Sequence, residues 1–324
     1  MNPPETGPAH VTLDDIRAAA ERLKGVAFRT PLIPHPKIAG LYFKAESLQP
    51  IGAFKIRGAY NKVATLPEEE RKRGVITFSS GNHAQAVAYA ARAFGVKAVI
   101  VMPNNAPPVK QDGTKALGAE VVLVGPASSE RLAKAQELSE KHGYVMVPPY
   151  DDAAIVAGQG TCGLEILEQL PDVQLVLSPV SGGGMLSGAA TAIKLSGSKA
   201  KVVGCEPAVS GKAKESLKTG KIVERTAEVA TKTICDGLRT QSLGRLNFEL
   251  IRKYCDDVVG VSDDEVRQAM GELAREVHIV AEPSGAISYA AWRFRRHELP
   301  EAEKVVCILT GGNVDAGLLK EVLG

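Results

Sequence analysis

The sequence predicts an α/β protein with open, twisted, mostly parallel sheets covered by helices. Two observations carry that expectation. Short, nearly continuous apolar runs at 97–102, 173–177 and 304–309 have no polar face, which suits strands buried on both sides. Between such runs, apolar residues recur at i, i+3, i+4 and i+7, the spacing of a helix with one buried stripe. Strand and helix alternate through most of the 324 residues, the order that builds parallel sheets. That length allows two core-forming units.

Residues 1–11 read as a frayed leader. Thr12, Leu13, Asp14 and Asp15 form a capping-box pattern with Asp in the place of Glu, and Ile16, Ala19, Ala20 and Leu23 supply the stripe of the helix it opens. A strand at 41–46 leads to a break at Pro50 and Gly52, then to a helix with Ile56, Ala59, Tyr60 and Val63 on its stripe. The alternation follows: strands at 75–78, 97–102, 121–124 and 144–147, with helices at 84–94, 107–117 and 128–141 between them. It resumes with a helix at 152–170, a strand at 173–177, a helix at 185–195 and a strand at 201–205. Residues 208–243 are more irregular and polar. Ser262 to Glu265 is a full capping box before a helix at 266–277; a helix at 284–296 and a strand at 304–309 complete the chain before the turn at Thr310. No internal repeat or low-complexity stretch is visible.

Composition narrows the function classes. Hydrophobic residues make up 44% and charged residues 23%, the balance of a globular enzyme. A net charge of +2, with no Lys/Arg-rich block among aromatics, argues against nucleic acid and acidic membranes. Five cysteines are scattered with no C-x-x-C pair, and Cys205 and Cys307 sit in apolar runs, which fits a reducing compartment. The sequence has no apolar signal region or membrane-length run, so a cytoplasmic location is expected.

Lys55 is the first candidate for chemistry. It lies off the helical stripe, at a loop-to-helix junction, where a side chain can enter a cleft. Apolar Phe54 beside it and the positive end of the helix both disfavour the ammonium. Schiff-base chemistry requires a neutral amine; a solvated surface lysine is the bland alternative. Ser181, Gly182, Gly183 and Gly184 follow a strand and open a helix, so their amides can approach an anion. The run lacks the Walker lysine and the dinucleotide spacing of glycines, which disfavours nucleoside triphosphates and NAD. A plain tight turn is its other reading. Ser79, Ser80, Gly81, Asn82 and His83 occupy another strand end, the ligand-facing edge of an open parallel sheet. They suit a substrate carboxylate, or simply cap the next helix. His83 reads as a hydrogen-bonding scaffold rather than a base.

Five blocks stand in order: residues 53–59 (AFKIRGA), 79–83 (SSGNH), 157–161 (AGQGT), 181–185 (SGGGM) and 310–313 (TGGN). They resemble the motifs of the pyridoxal-phosphate-dependent serine/threonine dehydratase and serine racemase family, of tryptophan-synthase-β-like fold type II. The likeness runs from about Thr12 to the C-terminus. It implies pyridoxal 5'-phosphate bound to Lys55, its phosphate on Ser181, Gly182, Gly183 and Gly184 with Met185, and Phe54 beside it. Asn82 would meet the ring hydroxyl, and Thr310, where the family usually has Ser, the ring nitrogen. Ser79 to His83 would bind the substrate. Ser80 corresponds to the hydroxyl facing Cα opposite the lysine in racemases, and it occurs in dehydratases too. The resemblance further implies a small domain of residues 71–151 inserted into a large one of 1–70 and 152–324, with Pro148 and Pro149 as a return hinge, and a homodimer. Family members with a divalent cation hold it by a Glu matching Glu206, a carbonyl near Ser210 and an Asp where Lys212 stands here. An ammonium cannot ligate a metal, so no metal is expected; Lys212 would take the cation's place and pair with Glu206. Arg131 reads as a surface arginine or, facing the cleft, as a partner for an acidic substrate group.

The expected reaction is dehydration of a β-hydroxy amino acid, L-threonine or L-serine by default, to a 2-oxo acid and ammonia. Lys55 takes the Cα proton. Its rivals are a serine racemase using Ser80, a dehydratase of phenylserine or 3-hydroxyaspartate, and a catalytically silent small-ligand-binding protein. The chain ends at Gly324, close to its last helix, so no appended regulatory domain is expected.

Overall fold

The computed structural model describes residues 10–324 apart from 80, 107, 126 and 127, and no side chains at 108–110, 128 and 129. Ser80, Pro107 and most of the expected leader (1–9) therefore lie outside the described residues. Val11, at the end of that leader, is buried against Ile16 and Val156 rather than frayed.

Helix α1 (Leu13–Leu23) opens on the expected capping box: Thr12 Oγ1 accepts the Asp15 N–H at 3.1 Å and Asp15 Oδ2 accepts the Thr12 N–H at 2.9 Å. Strands β1 (Leu32–Pro34) and β2 (Leu41–Lys44) and a 3-10 turn (Glu46–Leu48) lead to α2 (Lys55–Thr65). Then come α3 (Glu68–Lys72), β3 (Val75–Phe78), α4 (Asn82–Ala93), β4 (Ala98–Pro103), α5 (Pro108–Ala116), β5 (Glu120–Val124), α6 (Ser128–His142) and β6 (Val145–Met146). The chain continues through α7 (Ala153–Gln169), β7 (Leu175–Pro179), α8 (Gly184–Leu195), β8 (Lys201–Pro207), α9 (Lys212–Thr219), α10 (Ala227–Ala230) and a second 3-10 turn (Asp236–Leu238). It closes with α11 (Arg245–Tyr254), β9 (Asp257–Val261), α12 (Asp263–Glu272), a π-helical turn (Leu273–Val277), α13 (Pro283–Phe294), β10 (Val305–Ile308) and α14 (Ala316–Leu323).

Two sheets result, in the orders β1-β2-β10-β7-β8-β9 and β5-β4-β3-β6. Every ladder is parallel except β1 with β2. Alternate residues of one strand enter different cores. Leu175 and Leu177 pack with α12 and α13, whereas Val176 faces α7, α8 and α11. Ile100 likewise meets α2 and α4, while Val99 and Val101 meet α6. Both faces of both sheets are covered, which is why the runs at β4, β7 and β10 carry no polar side.

The sequence reading misses β1, α3, β9, α11 and α14, and α9 and α10 form inside the stretch read as irregular. The expected strand at 41–46 stops at Lys44 because Glu46 turns inward to meet Arg57. The helix expected through Val277 gives way at Leu273 to the π turn.

Helix α7 is wedged between α2 and α8. A Cβ on Gly158 would lie 2.6 Å from the Gly58 Cα, and one on Gly188 2.7 Å from the Gly160 nitrogen. The glycines of the 157–161 motif thus let three helices cross with backbones in contact, and α2 carries Lys55 into this crossing.

Candidate active site

The first turn of α2 is held by a buried ionic network. Arg57 Nε and Nη2 reach the two Glu46 oxygens at 2.7 and 2.8 Å, and Nη1 and Nη2 reach those of Glu165 at 2.6 and 2.9 Å. Lys44 Nζ contacts Glu165 at 2.5 Å and the Thr30 carbonyl at 2.8 Å. Burial alone would raise the Glu46 pKa, but the charge and hydrogen bonds of Arg57, with help from Lys44 and Thr30, hold it below the usual carboxylate value.

Two residues upstream of Arg57, the part-buried Lys55 projects the other way. Its Nζ donates to the Pro149 carbonyl at 2.6 Å and stands 5.2 Å from the centre of the Phe54 ring. Burial lowers its pKa from 10.5 to about 8. The loop before it is stitched to the end of β10: the Phe54 N–H donates to the Thr310 carbonyl at 3.0 Å, and Ala53 bridges Gly311. Thr310 is buried, with its hydroxyl donating to the Ser284 carbonyl at 3.3 Å.

The glycine loop lies beside Pro149. A Cβ on Gly182 would sit 2.5 Å from the Tyr150 ring, and one on Gly183 2.8 Å from Asn247 Cβ, where φ is also +105°. No side chain fits there. Gly184 opens α8, whose first N–H groups have no intrahelical acceptors. The Ser181 hydroxyl shares a hydrogen bond with Thr240 at 3.0 Å, and the Met185 side chain lies in the core beneath the loop.

Ser79 and Gly81 link β3 to α4, and Asn82 and His83 open α4. Asn82 Nδ2 donates to Glu282 Oε1 at 2.7 Å, and Asn313 Nδ2 to Asn82 Oδ1 at 2.8 Å. His83 is buried, with Nε2 3.0 Å from the Val147 carbonyl. Burial, and then the nearby Lys55 charge, lower its pKa to about 3, which keeps the ring neutral. Arg131 is part-buried on α6, and burial lowers its pKa.

The sequence model described as "Pyridoxal-phosphate dependent enzyme" matches residues 23–311. The chain belongs to the pyridoxal-phosphate dependent enzyme family. This family member is 43% identical to the L-threonine ammonia-lyase of Thermotoga maritima over 97% of this chain and 78% of that protein. It is 39% identical to the L-threo-3-hydroxyaspartate ammonia-lyase of Saccharomyces cerevisiae over 94% of each. Among solved structures, maize serine racemase superposes with a TM-score of 0.92 at 36% identity, covering 97% of each chain. The fold is that of the fold-type-II enzymes of this cofactor.

The residues fit pyridoxal phosphate. An amine lowered towards neutrality, a loop whose Cβ positions are already filled by Tyr150 and Asn247, and a helix N-terminus behind that loop suit an aldehyde and a phosphate. The cation site implied by the resemblance does not fit a metal. Both Glu206 oxygens accept backbone N–H groups of α9, from Ala213 at 3.0 Å and Lys214 at 2.9 Å. The Ser210 carbonyl accepts Arg225 Nε at 2.6 Å, and the third position is the fully buried Lys212. Among the described residues no group of three His, Cys, Asp or Glu side chains could hold a metal. The direct Lys212–Glu206 pair expected from sequence is not formed, because helix capping takes up the carboxylate. Burial raises the Glu206 pKa and lowers that of Lys212, and their mutual attraction opposes both shifts.

Tyr150, Asn247, Glu282 and Asn313 are the site neighbours that the sequence does not reveal, and Pro149, read only as a return hinge, also holds Lys55. Asn313 stands in the 310–313 motif without an assigned role; Tyr150, Asn247 and Glu282 carry no local signal.

The Lys55 pKa has a measurable consequence. In cofactor-stripped protein the amine should react with an acylating label along a titration centred near 8, not 10.5. Because the folded value is the lower one, the cost of burying the charge is present below that pH and relieved as pH rises through it. Labelling of the Lys55 peptide, read by mass spectrometry against an exposed lysine such as Lys221, checks this; coincident curves for both would refute it.

Proposed function

We propose that this enzyme is an ammonia-lyase that dehydrates a β-hydroxy amino acid, L-threonine or L-serine, to a 2-oxo acid and ammonia. The observation that carries the reading is the part-buried Lys55 amine, with its depressed pKa, between the glycine loop and Thr310. The likeness to a threonine ammonia-lyase over nearly the whole chain supports the substrate class.

Lys55, the amides of Ser181, Gly182, Gly183, Gly184 and Met185, the Asn82 amide and the Thr310 hydroxyl would hold the cofactor, with Phe54 beside it. Bound pyridoxal phosphate supplies an electron sink for the pair left at Cα. Lys55 Nζ accepts the Cα proton, which needs the amine neutral, and burial brings its pKa down to about 8, where a usable fraction is neutral at working pH. A hydroxyl at Thr310 is too weak an acid to protonate the ring nitrogen fully, so the sink stays moderate and loss of the β-hydroxyl is favoured over transamination. Ser79, Gly81, Asn82 and His83 present the N-terminus of α4 to the substrate carboxylate. Ser80, which lies outside the described residues, keeps the role that the resemblance implies, a hydroxyl facing Cα opposite the lysine. Residues 71–151 form the small domain of a two-domain enzyme, consistent with the four-stranded sheet drawn from 75–146. The enzyme works in the cytoplasm as a homodimer, for which Phe28 and Leu48 offer exposed apolar surface.

Incubation with L-threonine, L-serine, L-threo-3-hydroxyaspartate and phenylserine, with keto acid and ammonia measured, tests the reading. Release from threonine or serine is expected; racemised serine without ammonia would replace it with the racemase. Ser80→Ala should keep ammonia release at a reduced level while any racemisation, followed by chiral chromatography, disappears. Loss of both in a folded, cofactor-loaded variant would give Ser80 a different role.

A further inference from the structure

Lys212 is among the largest fully buried side chains of the protein, yet nothing in the reaction uses it. Its ammonium contacts the Ser210 hydroxyl and the Leu238 carbonyl, each at 3.4 Å. Leu238 ends the second 3-10 turn, and that turn reaches the site on two sides. The Gly237 N–H donates to Ser284 Oγ at 2.9 Å, and the Ser284 carbonyl in turn accepts the Thr310 hydroxyl. Thr240 holds Ser181 at the start of the glycine loop. On its other side Lys212 opens α9, which Glu206 fastens to the end of β8.

We propose that Lys212 is a positioning residue, a built-in cation that ties the 236–240 turn to α9 and so fixes Thr310 and Ser181, and that the enzyme takes no divalent metal there. The two targets rest on the site assignment above; the metal half stands without it. A lysine gives the turn a charged anchor that cannot dissociate, where a metal ion would make the same join depend on its concentration.

Two measurements on the holoenzyme test this. In the first, the parent is dialysed against chelator, then against magnesium or calcium, desalted and assayed for metal and melting temperature. No retained metal and an unchanged melting temperature are expected. Stoichiometric metal, or a rise of roughly 5 °C such as a site saturated a hundredfold would give, overturns the proposal. In the second, cofactor release into a trapping apo-enzyme is followed for Lys212→Met, Lys212→Arg and the control Lys194→Met. Lys194 is a part-buried ammonium held by the Ala200 carbonyl and Asp256, away from the turn. Lys212→Met should release cofactor roughly tenfold faster, as expected for loss of a hydrogen bond from a charged donor, with a shifted visible band. Lys212→Arg should recover most of that, and Lys194→Met should lower only the melting temperature. Parental release and spectrum in a folded Lys212→Met, or in Lys212→Arg should Met not fold and Arg melt well below the parent, would leave Lys212 a structural lysine and end its positioning role. If the site assignment itself is wrong, borohydride fixes the cofactor to a lysine other than Lys55, whatever the Lys212 variants show, and the metal result still stands.

Discussion

Lys55→Ala yields a protein that lacks the visible band of the lysine-linked cofactor and does not turn over. The substitution removes the amine that would hold the cofactor and the base that would take the Cα proton. Loss of a positioned proton acceptor alone typically costs roughly 10²–10⁴-fold. Among the described residues the neighbouring lysines are engaged elsewhere: Lys44 is bound to Glu165 and Lys62 to Asp152. The glycine loop is untouched, so the variant should still bind the cofactor reversibly through its phosphate. The checks are keto-acid release, the visible spectrum, and borohydride reduction followed by peptide mapping. A reduced cofactor found on another lysine, with activity retained, sinks the assignment.

Arg57→Met should cost about 3–5 kcal/mol of stability, the usual result of stranding a buried charge by removing its partner. The variant keeps the side-chain bulk but leaves Glu46, which is fully buried, facing only Thr30, Gln49 and the more distant Lys44. Chemical denaturation at neutral pH reads the loss, and a variant as stable as the parent would mean that the network is energetically neutral. The pH dependence has a definite sign. The folded Glu46 carboxyl titrates below its ordinary value of 4.5, so its contribution is complete above that pH and fades as pH falls through the folded value. The gap between parent and Arg57→Met should therefore narrow in acid.

Local rules in the sequence found most of the architecture. The two capping boxes at Thr12 and Ser262 form as read, because each is closed within four residues. Central strands were legible because burial on both faces leaves few polar residues in them. Helix α9 was not, since the residues it buries are Lys212, Ala213 and Ser216, which give no apolar stripe. Strand β9 is a short apolar run between charged residues, and α11 turns Asn247 towards the glycine loop, so hydropathy marks neither strongly. At the site, the motif residues could be named from their strand ends and glycines. Their partners could not. Asn82 meets Glu282 and Asn313 across 200 and 231 positions, and only the folded sheet brings them together. The failure at Glu206 was of another kind: a charge pair was expected where the carboxylate had closer donors in the backbone of α9.

Residues 149–151 carry the chain back from the four-stranded sheet to the six-stranded one. Over that short span the Pro149 carbonyl holds Lys55, the Tyr150 ring covers Gly182, and the Asp151 carboxylate caps α11 through the Arg245 and Leu246 N–H groups. The crossing between sheets and the wall of the site are thus the same few atoms. Any rocking of one sheet against the other must disturb the surroundings of a cofactor that absorbs and fluoresces. The protein therefore carries its own strain gauge: a ligand that shifts one sheet against the other would register as a change of emission in a stopped-flow cell, with no dye attached.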